Sequence, residues 1–278
     1  MVAFGYVRNA RLKANIQLGI NGRYIFNIQQ VVAQRQDRFF MAKSKTSSGG
    51  GSSQRPLKVR VKTARGRTTS STRWLQRQLN DPYVAEAKKR GYRSRAALKL
   101  EQLNEKHHLL KPGMRIIDLG AAPGGWSQIA ADKVGSARPG GGQVIAIDIS
   151  EMEAIIGVEI LHLDFMDNSA PGKLKAALGD NFAHGVMSDM AAPATGHRQT
   201  DHIRIMGLCE AALDFAQEVL KENGFFLAKV LRGGTEGTLL EMMKRDFKTV
   251  RHVKPVASRA DSAELYVLAT GFRGAKED

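Results

Sequence analysis

The sequence predicts an α/β fold built on a doubly wound, mostly parallel sheet, and three observations carry that prediction. After Pro112-Gly113, strand-like apolar runs alternate with helical stretches almost to the C-terminus. The connections are long enough to return the chain parallel to the strand it left. The first apolar run is followed at once by a Gly-rich turn and a helix start. The 278 residues are 42% hydrophobic and 25% charged, ordinary globular values that allow one or two domains with a buried core. Cys209 is the single cysteine, so no internal disulfide forms, and no Cys/His spacing suits a metal. That usage fits a reducing, cytoplasmic setting. No run approaches the roughly 18 apolar residues of a membrane helix, and the N-terminus lacks a secretory core.

Taken in order, the chain opens with a basic extension over residues 1–73. Residues 1–80 hold 16 of the 42 Lys+Arg and one of the 27 acids, Asp37, while the remaining 198 hold 26 of each, so the net charge of +15 lies wholly in the first 80. Such an asymmetry is the footprint of a polyanion partner, with a solvated tail or a targeting leader as the alternatives. Residues 1–40 read either as an organellar leader or, the reading we favour, as an extension upstream of a natural start at Met41. SKTSSGGGSSQ is a flexible linker. Residues 55–73 continue basic without helical period, as expected of an arm that orders on RNA. The catalytic domain is expected over 74–273, with 274–278 as a tail. Its ordered structure should begin near Trp74, with Asp81 as N-cap of a helix-like stretch reaching Leu110 and interrupted at Gly91. Strands are expected at Met114–Leu119, Gln143–Asp148, Glu159–Leu163, Gly185–Ser188, Phe225–Val230, Phe247–Val253 and Leu265–Thr270. Helices are expected at Trp126–Val134 and Asp201–Lys221, the second with Ile205, Leu208, Cys209, Ala212, Ala216 and Val219 on one face. Cys209 therefore belongs to the core.

The string from Ile116 to Trp126, IIDLGAAPGGW, is strand, turn and helix start, the place where ligands bind in a doubly wound sheet. Its glycines are not spaced G-x-G-x-x-G, so a pyrophosphate on the helix N-terminus is not indicated. Asp118 stands before the turn, Asp148 ends the next strand and Asp164 follows the third. Three acids so placed describe a nucleoside pocket for a cation without phosphates, which points to S-adenosylmethionine.

From Trp74 to Gly271 the chain resembles the FtsJ/RrmJ-type ribosomal RNA large-subunit 2′-O-methyltransferases, through WLQRQLNDPYV, SRAALKL, DLGAAPGGWSQ, MSDMA and ELYVLATG. The resemblance implies a seven-stranded Rossmann-like methyltransferase sheet with an antiparallel last strand. It implies S-adenosylmethionine bound through Gly124, Trp126, Asp148, Asp164 and Asp189, and a catalytic set of Lys99, Asp189, Lys229 and Glu264. It also implies ribosomal RNA as partner, within the large subunit, for a monomeric enzyme that acts on a uridine. Two departures stand out: Leu98 replaces an aromatic before Lys99, and Met190-Ala191-Ala192-Pro193 replaces M-A-P-N.

Methyl transfer from a sulfonium to a ribose hydroxyl needs alignment and deprotonation, and a lysine is a base only as the neutral amine, which burial and neighbouring cations favour. Lys229, after apolar Phe225, Phe226 and Leu227, is the expected base; Lys99 is the second cation, and Asp189 and Glu264 hold the ammonium groups and the ribose. Taken singly, Lys99 would be a snorkelling lysine, Lys229 a strand terminator, Asp189 a turn cap and Glu264 the polar start of an antiparallel strand. Arg93, Arg95 and Arg259 are expected on phosphates or as surface charge. Two other classes compete: an NAD-dependent oxidoreductase, disfavoured by the loop spacing, and a non-catalytic RNA-binding assembly factor, which would have no use for both lysines.

Overall fold

A computed structural model describes residues 59–61, 65–193, 195–232 and 237–274. The readings made for residues 1–40, for the Ser/Gly linker and for residues 275–278 lie outside the described residues. The elements are α1 (Thr69–Leu79), α2 (Pro82–Lys89), α3 (Ala96–His107), β1 (Arg115–Leu119), α4 (Gly125–Val134), β2 (Gln143–Asp148), β3 (Val158–His162), α5 (Ala170–Leu178), β4 (Ala183–Ser188), α6 (Arg198–Val219), β5 (Leu220–Leu231), α7 (Gly237–Asp246), β6 (Phe247–Val253) and β7 (Glu264–Phe272).

The seven strands form one sheet in the order β3-β2-β1-β4-β5-β7-β6, with β7 antiparallel to both neighbours and the rest parallel. Strand alternation sends successive side chains to opposite faces. Ile117, Leu119, Ile145, Ile147, Val186 and Phe226 pack with Leu174, Ala212, Leu213, Ala216 and Met243 from α5, α6 and α7 on one face. Ile116, Val144, Met187, Leu227, Tyr266 and Leu268 pack with Leu100, Leu103, Trp126 and Ile129 from α3 and α4 on the other. Because β1 leads into α4 and β4 into α6, the chain leaves the adjacent ends of β1 and β4 toward opposite faces. A crevice opens at that switch point.

The N-terminal end differs from expectation. The first helix starts at Thr69, before Trp74, because the Thr68 hydroxyl accepts the Ser71 N–H as an N-cap. Residues 69–73 of the basic arm are therefore helical without RNA. Val59 is tied to the same helix: its N–H donates to Asn80 Oδ1 at 2.8 Å and its carbonyl accepts from Gln76 Nε2 at 2.8 Å. Asp81 caps α2, accepting from the Tyr83 N–H, and Gly91 takes the left-handed conformation that separates α2 from α3. The helix expected to reach Lys221 ends at Val219, since Leu220 is already extended and opens β5. Cys209 lies in the core, and burial, followed by Glu210, pushes its thiol up to about 12.

Candidate active site

At the switch point the carboxyl ends of β1 to β4 surround a cavity of about 710 Å³, lined by Gly120, Ala122, Asp148, Asp164, Asp189, residues 190–193 and the α6 residues Arg204, Gly207 and Leu208. The Gly-rich turn comes close to the β4 loop: Gly120 has φ +72, and a Cβ there would fall 2.8 Å from the Met190 Cα. Asp148 fixes the turn from the next strand. Its Oδ2 accepts the Ala122 N–H at 2.9 Å and its Oδ1 accepts the Ser150 N–H at 2.7 Å. A carboxylate has about four acceptor directions, so two remain for a ligand. Asp164 accepts the Met166 N–H on Oδ1 at 2.9 Å and is otherwise exposed. Ile149 and Met166, 65% and 55% exposed, supply apolar walls that sequence reading missed; their signal was an apolar residue directly after each of two strand-end acids or one residue beyond.

Three expected pocket residues are placed differently. Asp118 is 0% exposed and does not line the cavity; strand alternation puts it on the Ile116 face beneath α4, where Oδ2 accepts from Ser127 Oγ at 2.6 Å. Burial pushes its carboxyl up to about 7, and Asp189 and Asp148 add to that, against the Ser127 bond. The Trp126 indole is buried too, donating Nε1–H to the Ala96 carbonyl and packing 5.5 Å from the Tyr266 ring. Gly124 is the left-handed residue before α4, and a Cβ there would lie 2.6 Å from Ile155 Cδ1 and 3.2 Å from Arg93 Cδ. Gly124 and Trp126 thus shape the turn from behind, with no side-chain atom in the cavity.

The four dispersed residues of the expected catalytic set come together beside this cavity. Lys99, 8% exposed on α3, bonds Glu264 Oε1 at 2.5 Å. Lys229 on β5 bonds Asp189 twice, at Oδ1 (2.9 Å) and at the main-chain carbonyl (2.8 Å). The antiparallel register sets Lys229 opposite Tyr266, a residue that sequence reading took only as part of a strand. Its phenol joins the two ion pairs: the hydroxyl lies 3.0 Å from Asp189 Oδ1, to which it donates, and accepts from Lys99 Nζ at 3.2 Å. Burial, then the Asp189 and Glu264 carboxylates, raises the phenol well above its usual range, which keeps this bridge protonated. Burial would raise the Glu264 carboxyl, but the Lys99 ammonium outweighs it and the net shift is downward. Asp189 faces both the lysine cluster and the cavity, so the two sites share a wall.

The arginines divide by their partners. Arg93 donates to the carbonyls of Glu153 and Ala154 at 2.7 Å and of Pro123 at 3.3 Å, clamping the chain after β2 onto the Gly-rich turn. Arg95 and Arg259 both pair with Asp81, and Arg95 also bonds the Ala257 carbonyl. None of the three is an idle surface charge. Leu98 is buried with Ala87 and Ala257 rather than turned to the site. Among the described residues no group of three His, Cys, Asp or Glu could hold a metal.

The sequence model of the FtsJ-like methyltransferase family matches residues 92–272, the span that carries Lys99, the Gly-rich turn, Asp189, Lys229 and Glu264. The chain belongs to the FtsJ-like methyltransferase family. Similar proteins include one from Xanthobacter autotrophicus, 64% identical over 229 residues, covering 82% of this chain and 89% of the relative. One from Azorhizobium caulinodans is 62% identical over 223 residues, with coverage of 80% and 92%. Both are named ribosomal RNA large subunit methyltransferase E. A solved Plasmodium falciparum structure, assigned as a ribosomal RNA methyltransferase, superposes with a TM-score of 0.59 at 28% identity, over 66% of this chain and all of that one. FtsJ-like membership sets the oxidoreductase reading aside. The methyl donor of the family is S-adenosylmethionine, and the cavity fits it: Asp148 keeps two open acceptor directions and Ile149 and Met166 supply exposed apolar walls.

Proposed function

We propose that this FtsJ-like methyltransferase methylates the 2′-hydroxyl of a uridine ribose in large-subunit (23S) ribosomal RNA. The observation that carries the proposal is the pair of largely enclosed Lys–carboxylate contacts, Lys99–Glu264 and Lys229–Asp189, joined by Tyr266 and sharing Asp189 with the nucleoside cavity. The names of the relatives supply the RNA class. S-adenosylmethionine brings an already activated methyl group; the chain's own residues bind, orient and move one proton.

In this reading Asp148, with its two open acceptor directions, would hold the cofactor ribose, and Ile149, Met166 and Asp164 would hold its base. Gly124 and Trp126 contribute by shaping the turn. Lys229 is the general base. An amine that gives two N–H bonds to Asp189, at Oδ1 and the carbonyl, has its remaining tetrahedral direction for the lone pair that takes the 2′-hydroxyl proton. Lys99 and Glu264 hold the ribose, and Tyr266 keeps the two pairs in register. We place the enzyme in the cytoplasm, as a monomer acting on ribosomal RNA within the large subunit; among the described residues no helix is long and apolar enough to cross a membrane.

The test is transfer of labelled methyl from S-adenosylmethionine to large subunits from a strain lacking the enzyme, with mapping of the modified sugar. Label on a ribose 2′-oxygen of a uridine supports the proposal. Label on a base, or none on either the subunit or its free RNA, sinks it.

A further inference from the structure

A polar cavity of about 250 Å³ opens from the Lys99–Glu264 pair and is lined on its outer side by Arg77 and Gln78 of α1 and by Arg259 and Asp261. Arg77 also lines a second hollow of about 420 Å³ with Arg73 and Gln76, so one basic track leads along α1 to the catalytic pair. The charges around it are largely committed. Lys99 and Glu264 answer one another, and Arg95 and Arg259 share Asp81. Asp261 is an exposed carboxylate on the rim. Arg73 and Arg77 are exposed, and among the described residues neither has an ion-pair partner. They stand four apart on a helix, TSSTRWLQRQL, that contains no acid. Like charges at that spacing destabilise a helix, so α1 carries a local excess of positive charge that an anion would offset. Val59 and Val61 are bonded to Gln76 of this helix and Val59 to its C-cap Asn80, with the exposed Arg60 between them.

We propose that α1 is the phosphate-binding element for the RNA strand. Arg73 and Arg77 take backbone phosphates next to the ribose that rests at Lys99 and Glu264. The inference rests on the RNA methyltransferase reading and deepens it by naming where the strand lies. Guanidinium groups match phosphate oxygens bidentately, and phosphate contacts position the strand without reading its sequence. It also reassigns the task expected of Arg93, Arg95 and Arg259, whose bonds are made within the protein.

The test uses the full chain with Arg73→Ala, Arg77→Ala, both together, and Arg77→Lys, beside Lys175→Ala as a control. Lys175 pairs with Glu218 on the far side of the sheet. Binding of oligouridylate is titrated at several salt concentrations, cofactor affinity and Tm are measured in parallel, and methyl transfer to unmodified large subunits is followed. Each alanine variant should weaken oligouridylate binding about tenfold and flatten the log–log salt slope by about 0.7. Cofactor affinity should stay at the parent value and Tm should not fall. Arg77→Lys should keep the slope, and so should Lys175→Ala. An unchanged slope in the double variant, or an equal loss in Lys175→Ala, overturns the proposal. If instead the double variant loses RNA binding as expected while the parent transfers no methyl to ribosomal RNA, the functional reading fails and the phosphate site stands.

Discussion

The two halves of the active site are built by opposite means. On the proposed cofactor side the acids are set mainly by the main chain: Asp148 is followed at once by the Ile149 wall, Asp164 caps the turn that presents Met166, and backbone N–H groups orient both carboxylates. The catalytic side is assembled from a distance: Lys99 and Glu264 are 165 residues apart, Lys229 and Asp189 are 40 apart, and the partners are side chains in ion pairs largely out of water. Main-chain N–H groups hold the cofactor-side carboxylates without needing a second side chain to be in place. A dispersed site depends on sheet register and helix packing, and removing one partner leaves a largely enclosed charge without its counter-ion.

The comparison can be broken most sharply at Lys229. Lys229→Ala should lower kcat by about 10²–10⁴-fold, the usual contribution of a general base, with cofactor affinity nearly unchanged; loss of affinity with near-parental kcat would move Lys229 to the other half. Asp148→Ala should do the reverse, weakening the cofactor by about 1–3 kcal/mol for hydroxyls left without acceptors. An unaltered isotherm by calorimetry would take Asp148 out of the pocket. Arg93→Ala should follow Asp148 with a smaller effect, about tenfold or less in cofactor affinity, because it acts through the clamped chain at Glu153 and Ala154. Arg93→Lys should not rescue it, since one ammonium cannot reproduce a planar fork on several carbonyls. If oligouridylate affinity falls and cofactor affinity does not, Arg93 belongs with the RNA contacts.

The smallest effect concerns Asp118, which belongs to neither half. Its folded carboxyl titrates near 7, above the ordinary carboxylate range, so the folded state holds that proton more tightly than the unfolded chain. Ionisation therefore costs stability: the cost is absent below pH about 4 and is fully developed as pH rises through about 7. Asp118→Asn does not titrate, so its Tm relative to the parent should climb by a few degrees between about pH 5 and 8. A gap that stays constant across that range would show that Asp118 carries no such linkage.

What was legible in the sequence follows the same division. The sheet and its Gly-rich turn were readable because period-2 runs and turn glycines are local signals, and Gln143–Asp148 and Phe247–Val253 match the expected strands end to end. The first part of β5 was not, since Asn223 at φ 62 and Gly224 read as a break. Helix α5 was missed because Pro171 and Gly172 in its first turn read as loop, although proline is at home there. Asp118 was assigned to the wrong face; counting by two from Ile116 in the core would have placed it. Tyr266 was within reach, two residues from Glu264 on one strand face, but only its pairing opposite Lys229 shows what the phenol joins. The Arg93 carbonyl contacts, 30 to 61 residues away, have no sequence signal.

Strand β7 enters the sheet late and in the middle, between β5 and β6, and brings both Glu264 and Tyr266 with it. The walls of the cofactor cavity all precede residue 264, whereas the proposed catalytic set is incomplete without it. A slip of β7 by a single residue would turn both side chains to the opposite face. In the proposed mechanism catalysis is thus a certificate of finished assembly: the methyl can be spent only after the last strand has been threaded in its proper register.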